Sequence, residues 1–160
     1  SDRMTKGKII GYIGIVLIII ISVFLGTKYY LYTNKNSEVD KGSTEIEKYT
    51  NLVCSKMVDN DNYSKNNIVT MAFDKDNLVW LKDVSYYYYF NNDEYMIAKE
   101  KLGTTSGIYK NTYYDDNRII STIYEDEVDG LKNSEWSIDV DTYTYSSLSK
   151  YYQEEEYTCK

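Results

Sequence analysis

From residue 47 onward, short runs of apolar and β-branched residues alternate with clusters of Asn and Asp, a pattern typical of strands joined by turns. Two stretches have helical spacing instead, the first preceded by polar N-cap candidates and followed by Gly103. The pattern predicts strands at 47–57, 68–73, 78–90, 107–114, 118–125 and 135–145, and helices at 94–102 and 146–155. We therefore expect the α+β class, with an antiparallel β-meander and one or two helices.

Residues 9–26 differ from the rest of the chain because they form an apolar run without a charged side chain, between Lys8 and Lys28. As a helix this run would be about 27 Å long, which is enough to cross the hydrocarbon core of a bilayer. We predict a single N-terminal transmembrane helix that stays as a signal anchor. The alternative is a cleaved signal peptide, but the run is long for one and ends in Phe24, Leu25 and Gly26 without a small-x-small cleavage site.

Charge on either side of this run predicts the orientation. Arg3, Lys6 and Lys8 oppose Asp2 before it, whereas residues 27–160 carry 15 basic and 24 acidic side chains. The positive-inside rule then keeps the N-terminus in the cytoplasm and places the rest outside a single-pass cell membrane protein. The predicted organisation is a cytoplasmic N-terminus at 1–8, the membrane helix at 9–26, a flexible tether at 27–45 and an extracellular α+β domain at 46–160.

Composition excludes several kinds of chemistry. The 160 residues contain no histidine, so imidazole-based triads and proton shuttles are absent. The formal net charge of −7 argues against nucleic acid as a partner, because such proteins neutralise phosphates with clustered Lys and Arg. Paired carboxylates are frequent, but they fall where turns and exposed strand faces would place them. We expect no catalytic residues, no metal ligands and no cofactor.

The two cysteines are Cys54, in the first predicted strand, and Cys159, next to the last residue. Thiols outside the cytoplasm are not kept reduced, and an even number allows complete pairing. We expect a disulfide that holds the C-terminal tail beside the first strand. Two free thiols are the alternative; a redox-active pair is disfavoured because it normally has close spacing and a basic neighbourhood.

Tyrosine is abundant, with 20 residues, and the run Tyr86 to Phe90 is its densest cluster in the predicted domain. In a strand, Tyr86, Tyr88 and Phe90 point to one side and Tyr87 and Tyr89 to the other. One set can then pack in the core while the other, Tyr87 and Tyr89, forms an exposed aromatic surface for a sugar or peptide. Plain packing of all five rings is the alternative.

The order of elements resembles that of the YehR-like small bacterial envelope proteins, most of which are lipoproteins. The matching pieces are Val53-Cys54-Ser55, the helix at 94–102, Gly107-Ile108-Tyr109, the strand at 119–125, and Ile138-Asp139 before residues 145–152. The closing Tyr157-Thr158-Cys159-Lys160 is also similar to the tail of related Gram-positive sequences. The resemblance covers most of residues 46–160. It implies a domain tethered to the cell envelope and implies no catalytic residues.

These observations together predict a membrane-anchored cell-surface module that binds or scaffolds and is not an enzyme. Its expected partners are the lipid bilayer and an envelope protein or cell-wall ligand. The alternative is an accessory subunit of a membrane envelope enzyme or sensor complex, in which the N-terminal segment contacts a partner.

Overall fold

The computed structural model describes residues 49–103, 105–106 and 109–160. Within them, seven strands form one sheet in the order β4-β5-β6-β3-β2-β1-β7, and every neighbouring pair is antiparallel. The strands are β1 (Thr50–Asp59), β2 (Tyr63–Asp74), β3 (Asn77–Tyr89), β4 (Thr105–Ser106), β5 (Tyr109–Tyr114), β6 (Ile119–Glu127) and β7 (Thr158–Cys159). The helices are α1 (Asn92–Leu102), α2 (Val128–Lys132) and α3 (Tyr145–Glu154).

The strands β1, β2 and β3 form the predicted meander, with turns at the Asn and Asp clusters. The Asn60 side-chain oxygen accepts hydrogen bonds of 2.8 Å from the backbone N–H groups of Asn62 and Tyr63, which closes the first turn. The second turn has two residues, and Lys75 adopts the left-handed conformation there with φ 57°. Strand β2 begins at Tyr63, five residues before the predicted start, because it continues in register with β3.

One side of the sheet, here called the helix face, carries the largest core. Strand residues including Leu52, Val69 and Met71 pack there with α2 through Leu131 and with α3 through Leu148. All five of these side chains are buried. Burial of a large apolar side chain stabilises a fold by about 1.5–3 kcal/mol, so this cluster holds both helices on the sheet.

The predicted division of the aromatic run between two sides of a strand is confirmed. Tyr86 and Tyr88 lie in a second buried cluster on the reverse face, whereas Tyr87 and Tyr89 are on the helix face. No residue of the described helices α1 to α3 belongs to the reverse-face cluster. The period of two along β3 therefore supplies aromatic rings to both sides of the sheet.

The predicted helix at 94–102 is α1, and its end signals act as expected. The side chain of Asn91 caps the N-terminus by accepting the backbone N–H of Asp93 at 2.7 Å. The helix ends at Leu102, and the following residue, Gly103, has a φ of 64° that residues other than glycine rarely adopt. Tyr95 points from α1 into the helix face and is fully buried.

The strand predicted at 135–145 is wrong. Residues 133–144, here called the crossing segment, contain no strand; an isolated bridge pairs Thr144 with Asn77. The alternation that suggested a strand is real, since Trp136, Ile138 and Val140 all pack against the helix-face core. These side chains are partly buried because the segment crosses the face of the sheet, without joining its hydrogen-bond ladder, so a period of two did not require a strand.

The predicted fold class needs correction. A seven-stranded antiparallel sheet dominates the described residues, and the three helices found there are short, so the α+β assignment is wrong and only the meander is retained. The structure also gives no support for a transmembrane helix: no helix in the described residues is both long enough and apolar enough to cross a bilayer. Residues 9–26, for which that helix was predicted, lie outside the described residues, as do the segments predicted at 1–8 and 27–45.

The disulfide between Cys54 and Cys159 is confirmed. It joins β1 to the short final strand β7. Cys54 and Cys159 lie directly opposite each other in this antiparallel pair of strands. Backbone hydrogen bonds in both directions between Val53 and Lys160, of 3.0 and 2.8 Å, extend the pairing to the last residue. The bond closes a loop across 105 positions of sequence, so it ties the tail to the strand with which the domain begins.

Candidate functional site

A groove of about 760 Å³ opens on the helix face between α1 and the crossing segment. Its floor contains Tyr87 and Tyr89 from β3, Tyr63 from β2 and Thr122 from β6. These residues are on one face because Tyr63 pairs directly with Tyr89 across the β2–β3 ladder, and Tyr87 is two residues earlier on β3. Strand register therefore gathers the aromatic side chains under one opening.

The three tyrosines of the floor, here called the tyrosine cluster, are joined by ring contacts of Tyr63 with each of the other two. The Tyr63 ring centroid lies 5.3 Å from that of Tyr87 and 5.3 Å from that of Tyr89, with interplanar angles of 73° and 57°. Edge and tilted ring contacts of this kind contribute about 0.5–1.5 kcal/mol beyond the area they bury. These contacts of Tyr63 thus help to fix the orientation of the three rings in the floor of the groove.

Helix α1 forms one wall. The side chains that line the groove are Glu94, Ile97, Ala98, Lys101 and Leu102. Their spacing of three, four, seven and eight residues from the first places them on one side of the helix. The side chains of Ile97 and Leu102 remain 59% and 45% exposed, so this wall presents apolar surface to solvent.

The position of α1 is fixed from both ends. The Tyr95 hydroxyl donates a hydrogen bond of 2.5 Å to the Asp115 carboxylate in the β5–β6 turn, and Lys99 Nζ lies 2.8 Å from the same oxygen. The hydrogen bond from Lys99, followed by that from Tyr95, lowers the pKa of Asp115. At the other end the Tyr113 hydroxyl donates to the Gly103 carbonyl. The wall is therefore held against the sheet before any ligand arrives.

The crossing segment supplies the opposite wall through Glu135 and Trp136. The Trp136 ring stacks on Tyr124 of β6, with centroids 4.9 Å apart and an interplanar angle of 6°. Tyr124 is fully buried in the helix-face core, so the stack anchors this wall on the interior of the domain. A predicted strand is thus replaced by a segment that closes one side of the site.

The electrostatics of the groove favour binding through neutral phenols and a few charges. Burial, followed by the neighbouring Tyr63, Tyr87 and Glu94, raises the pKa of Tyr89 to about 12. Near neutral pH this hydroxyl is therefore protonated and can donate and accept hydrogen bonds, but it is not a phenolate base or nucleophile. Glu94 and Glu135 provide negative charge in the lining and Lys101 provides positive charge.

A cluster of hydrogen-bonded polar side chains lies on the helix face, under the C-terminal tail. Asn67 Nδ2 donates to Asp83 Oδ1 at 2.6 Å and to Ser85 Oγ at 3.0 Å, while the Tyr157 hydroxyl donates to Asn67 Oδ1 at 2.6 Å. Burial raises the pKa of Asp83, an effect that its hydrogen bond from Asn67 and the charge of Lys65 partly offset. The members satisfy one another's hydrogen bonds, so this network acts as a structural polar core that seats the tail.

The structure places the predicted site residues as follows. Tyr87 and Tyr89 both line the groove, although Tyr89 is only 8% exposed, so they form a recessed floor rather than an open aromatic surface. Cys54 and Cys159 form the disulfide on the β1 edge. Within the described residues, no group of three or more Cys, Asp and Glu side chains is arranged to hold a metal ion.

Sequence reasoning missed the walls of the groove. Ile97 gave one usable signal, since it is an apolar residue two positions from the inward-facing Tyr95 and therefore on a different side of α1. The contribution of Tyr63 followed from the β2–β3 register, and those of Glu135 and Trp136 from the path of the crossing segment. Neither can be read from spacing along the chain.

Comparison of the chain with protein-family models, with curated proteins and with solved structures finds no match. The resemblance to the YehR-like envelope proteins therefore stays a prediction, and the geometry of the groove carries the functional argument.

Proposed function

We propose that this domain is a non-catalytic binding module of the cell surface and that the groove between α1 and the crossing segment takes its ligand. The observation that carries the proposal is a cleft of about 760 Å³ that combines the tyrosine cluster with the exposed side chains of Ile97 and Leu102. Ligand sites in proteins are concave, of about 300–1,000 Å³, and mostly lined by apolar and aromatic side chains with a few polar groups. The groove has this size and this lining.

The exposed apolar wall supplies the driving force for binding. A ligand that covers Ile97 and Leu102 removes apolar surface from water, and each fully buried side chain of this kind is worth about 1.5–3 kcal/mol. Tyrosine adds a large, rigid contact surface at little cost in side-chain entropy, with a hydroxyl that can orient the ligand. Both contributions are available without rearrangement, because Asp115 and Gly103 hold α1 in place.

The chemistry of the groove supports binding rather than turnover. General acid–base catalysis is most efficient when the pKa of the group lies near the working pH. The pKa of Tyr89, raised to about 12 by burial, is far from that range. The disulfide between Cys54 and Cys159 in turn supports a location outside the reducing cytoplasm, where such bonds form and persist.

Binding at the groove can be tested with two variants of one helix. Ile97→Lys introduces a charge into the wall, whereas Met96→Lys changes the neighbouring residue, which is 50% exposed and is not among the lining residues. Amide chemical shifts of the full chain are followed while chitotetraose, maltotetraose and a set of apolar, basic and acidic hexapeptides are added. We expect at least one ligand to shift the amides of the groove, and to bind about tenfold more weakly or worse to Ile97→Lys.

The Met96→Lys variant should bind that ligand as the wild type does. If no ligand in the panel shifts the amides of the groove, or if both variants lose binding equally, the groove is not the binding site and the proposed function is wrong. Thermal unfolding of both variants shows whether either substitution has disturbed the fold.

A further inference from the structure

We infer that the ligand of the groove is a peptide segment of a partner protein, about four residues long, in which basic and apolar side chains alternate or adjoin. This inference rests on the proposed function, because it names the class of ligand for the same groove. It is carried by the negative net charge of the domain, by the cation–π contact of the chain's own Lys65 with the tyrosine cluster and by the aliphatic character of the α1 wall.

The net charge of the domain favours a basic ligand. Glu94, Glu135 and Lys101 line the groove, and the Lys65 ammonium group lies on the Tyr87 ring of its floor, so charges of both signs are present there. From residue 49 to residue 160 the chain carries 20 acidic and 11 basic side chains, a net charge of −9. A negative surface of this kind attracts a basic segment over a distance of about 10 Å at moderate ionic strength and repels an acidic one.

The tyrosine cluster also attracts cations through its rings. Lys65 Nζ lies 5.3 Å from the centroid of the Tyr87 ring, within the range of a cation–π contact. This contact shows that one ring of the cluster, that of Tyr87, holds the ammonium group of the chain's own Lys65. Lys or Arg side chains of a ligand would meet the same kind of surface at Tyr63, which is partly exposed and also lines the groove.

The α1 wall favours a peptide over a glycan. Ile97, Ala98 and Leu102 offer no hydrogen bonds, whereas each sugar ring carries several hydroxyls that need polar partners when they lose water. Apolar side chains of a peptide fit this wall. Between Glu94 and Leu102 the helix rises about 12 Å, the length of about four residues of extended chain.

The test compares three acetylated and amidated hexapeptides, in which leucine alternates with lysine, with glutamate or with serine. Affinities for the 160-residue chain are measured by calorimetry, and the binding site is located by amide chemical shifts. We expect the leucine–lysine peptide to bind most tightly and the leucine–glutamate peptide most weakly. Raising the salt concentration from about 20 to about 300 mM should weaken binding of the leucine–lysine peptide and strengthen binding of the leucine–glutamate peptide, because salt screens attraction and repulsion alike.

Two substitutions on α1 give a signature that a structural effect cannot reproduce. Glu94 is in the first turn of the helix and Lys101 in the last, so either change to glutamine removes a favourable interaction with the helix dipole. Glu94→Gln should weaken binding of the leucine–lysine peptide about two- to fivefold, and Lys101→Gln should tighten it by a similar factor. A loss of helix stability would move both affinities in the same direction.

The outcomes separate this inference from the proposed function. Equal affinity for the three peptides, or tighter binding of chitotetraose at the same amides, overturns the basic-peptide inference and leaves the groove as a binding site. Amide shifts confined to residues outside the groove overturn both. A shift of the groove amides by the leucine–lysine peptide, with opposite effects of Glu94→Gln and Lys101→Gln, supports both.

Discussion

Removing the disulfide between Cys54 and Cys159 should lower the free energy of unfolding by about 5 kcal/mol. The bond joins positions 105 apart in sequence, so in the oxidised protein the unfolded chain stays closed into one large loop. On the chain-entropy model, closing a loop of this length lowers the entropy of the unfolded chain by about 16 cal/mol/K. This raises the free energy of the unfolded state by about 4.8 kcal/mol at 25 °C. For a small domain this is comparable to the whole net stability.

Removing the bond could act on the unfolded chain or could detach the C-terminal tail from β1, and the structure allows these two effects to be separated. Without the bond, the tail keeps two backbone hydrogen bonds between Val53 and Lys160 and the contact from Tyr157 to Asn67. If these interactions hold β7 in place, the fold is unchanged and the loss comes from the unfolded state. For a domain of this size, about 5 kcal/mol corresponds to a fall in the unfolding temperature of about 20 °C.

The assay is urea unfolding of the oxidised wild type, the reduced wild type and the double variant Cys54→Ala/Cys159→Ala. The reduced wild type and the double variant should agree within about 1 kcal/mol, which controls for the lost sulfur atoms at the buried Cys54 site. A difference of less than about 2 kcal/mol between the oxidised and the bond-free proteins would refute the loop-closure reasoning.

Two further predictions concern a partly buried carboxylate and the end of α1. Burial raises the pKa of Asp83 above its ordinary value of 3.8, so the folded state binds its proton more tightly than the unfolded state does. The wild type should therefore lose stability as the pH rises from about 3.8 through the pKa of Asp83 in the folded state, and the variant Asp83→Asn should not show this loss. Urea unfolding from pH 3 to pH 8 tests this prediction. The control is Asp116→Asn, at an exposed position. If Asp116→Asn changes the profile as much as Asp83→Asn, burial is not the cause. Gly103→Ala should cost roughly 1–3 kcal/mol because φ 64° with ψ −171° is open almost only to glycine. An unchanged unfolding midpoint would show that the helix end relaxes freely.

Local patterns in the sequence determined much of the sheet. The Asn and Asp clusters at 59–62 and 74–77 form the turns of the meander, and the period of two along β3 distributes its tyrosines between the two faces as expected. Helix α1 was equally readable, since a polar cap before it and Gly103 after it act within a few residues of the chain. Turns and caps depend on neighbouring residues, and this is why the sequence reveals them.

Only part of the candidate site could be predicted from the sequence. Tyr87 and Tyr89 were identifiable because a run of aromatic residues stands out along a strand. Their neighbour Tyr63 is far away in sequence and reaches them through strand register. Whether Ile97 faces solvent depends on how α1 is rolled on the sheet, which Tyr95 and Asp115 determine together.

What the sequence by itself determined were the short-range features: turns, caps, the alternation of side chains and the availability of two cysteines for one bond. The tertiary structure decided the balance of sheet and helix, the path of the crossing segment and the groove. Trp136, Ile138 and Val140 illustrate the reason, because their alternation is satisfied equally by a strand in the sheet and by a segment crossing its face. The hydrophobic effect is not directional, so the pattern specifies that these side chains turn away from water, and long-range packing decides which surface they pack against.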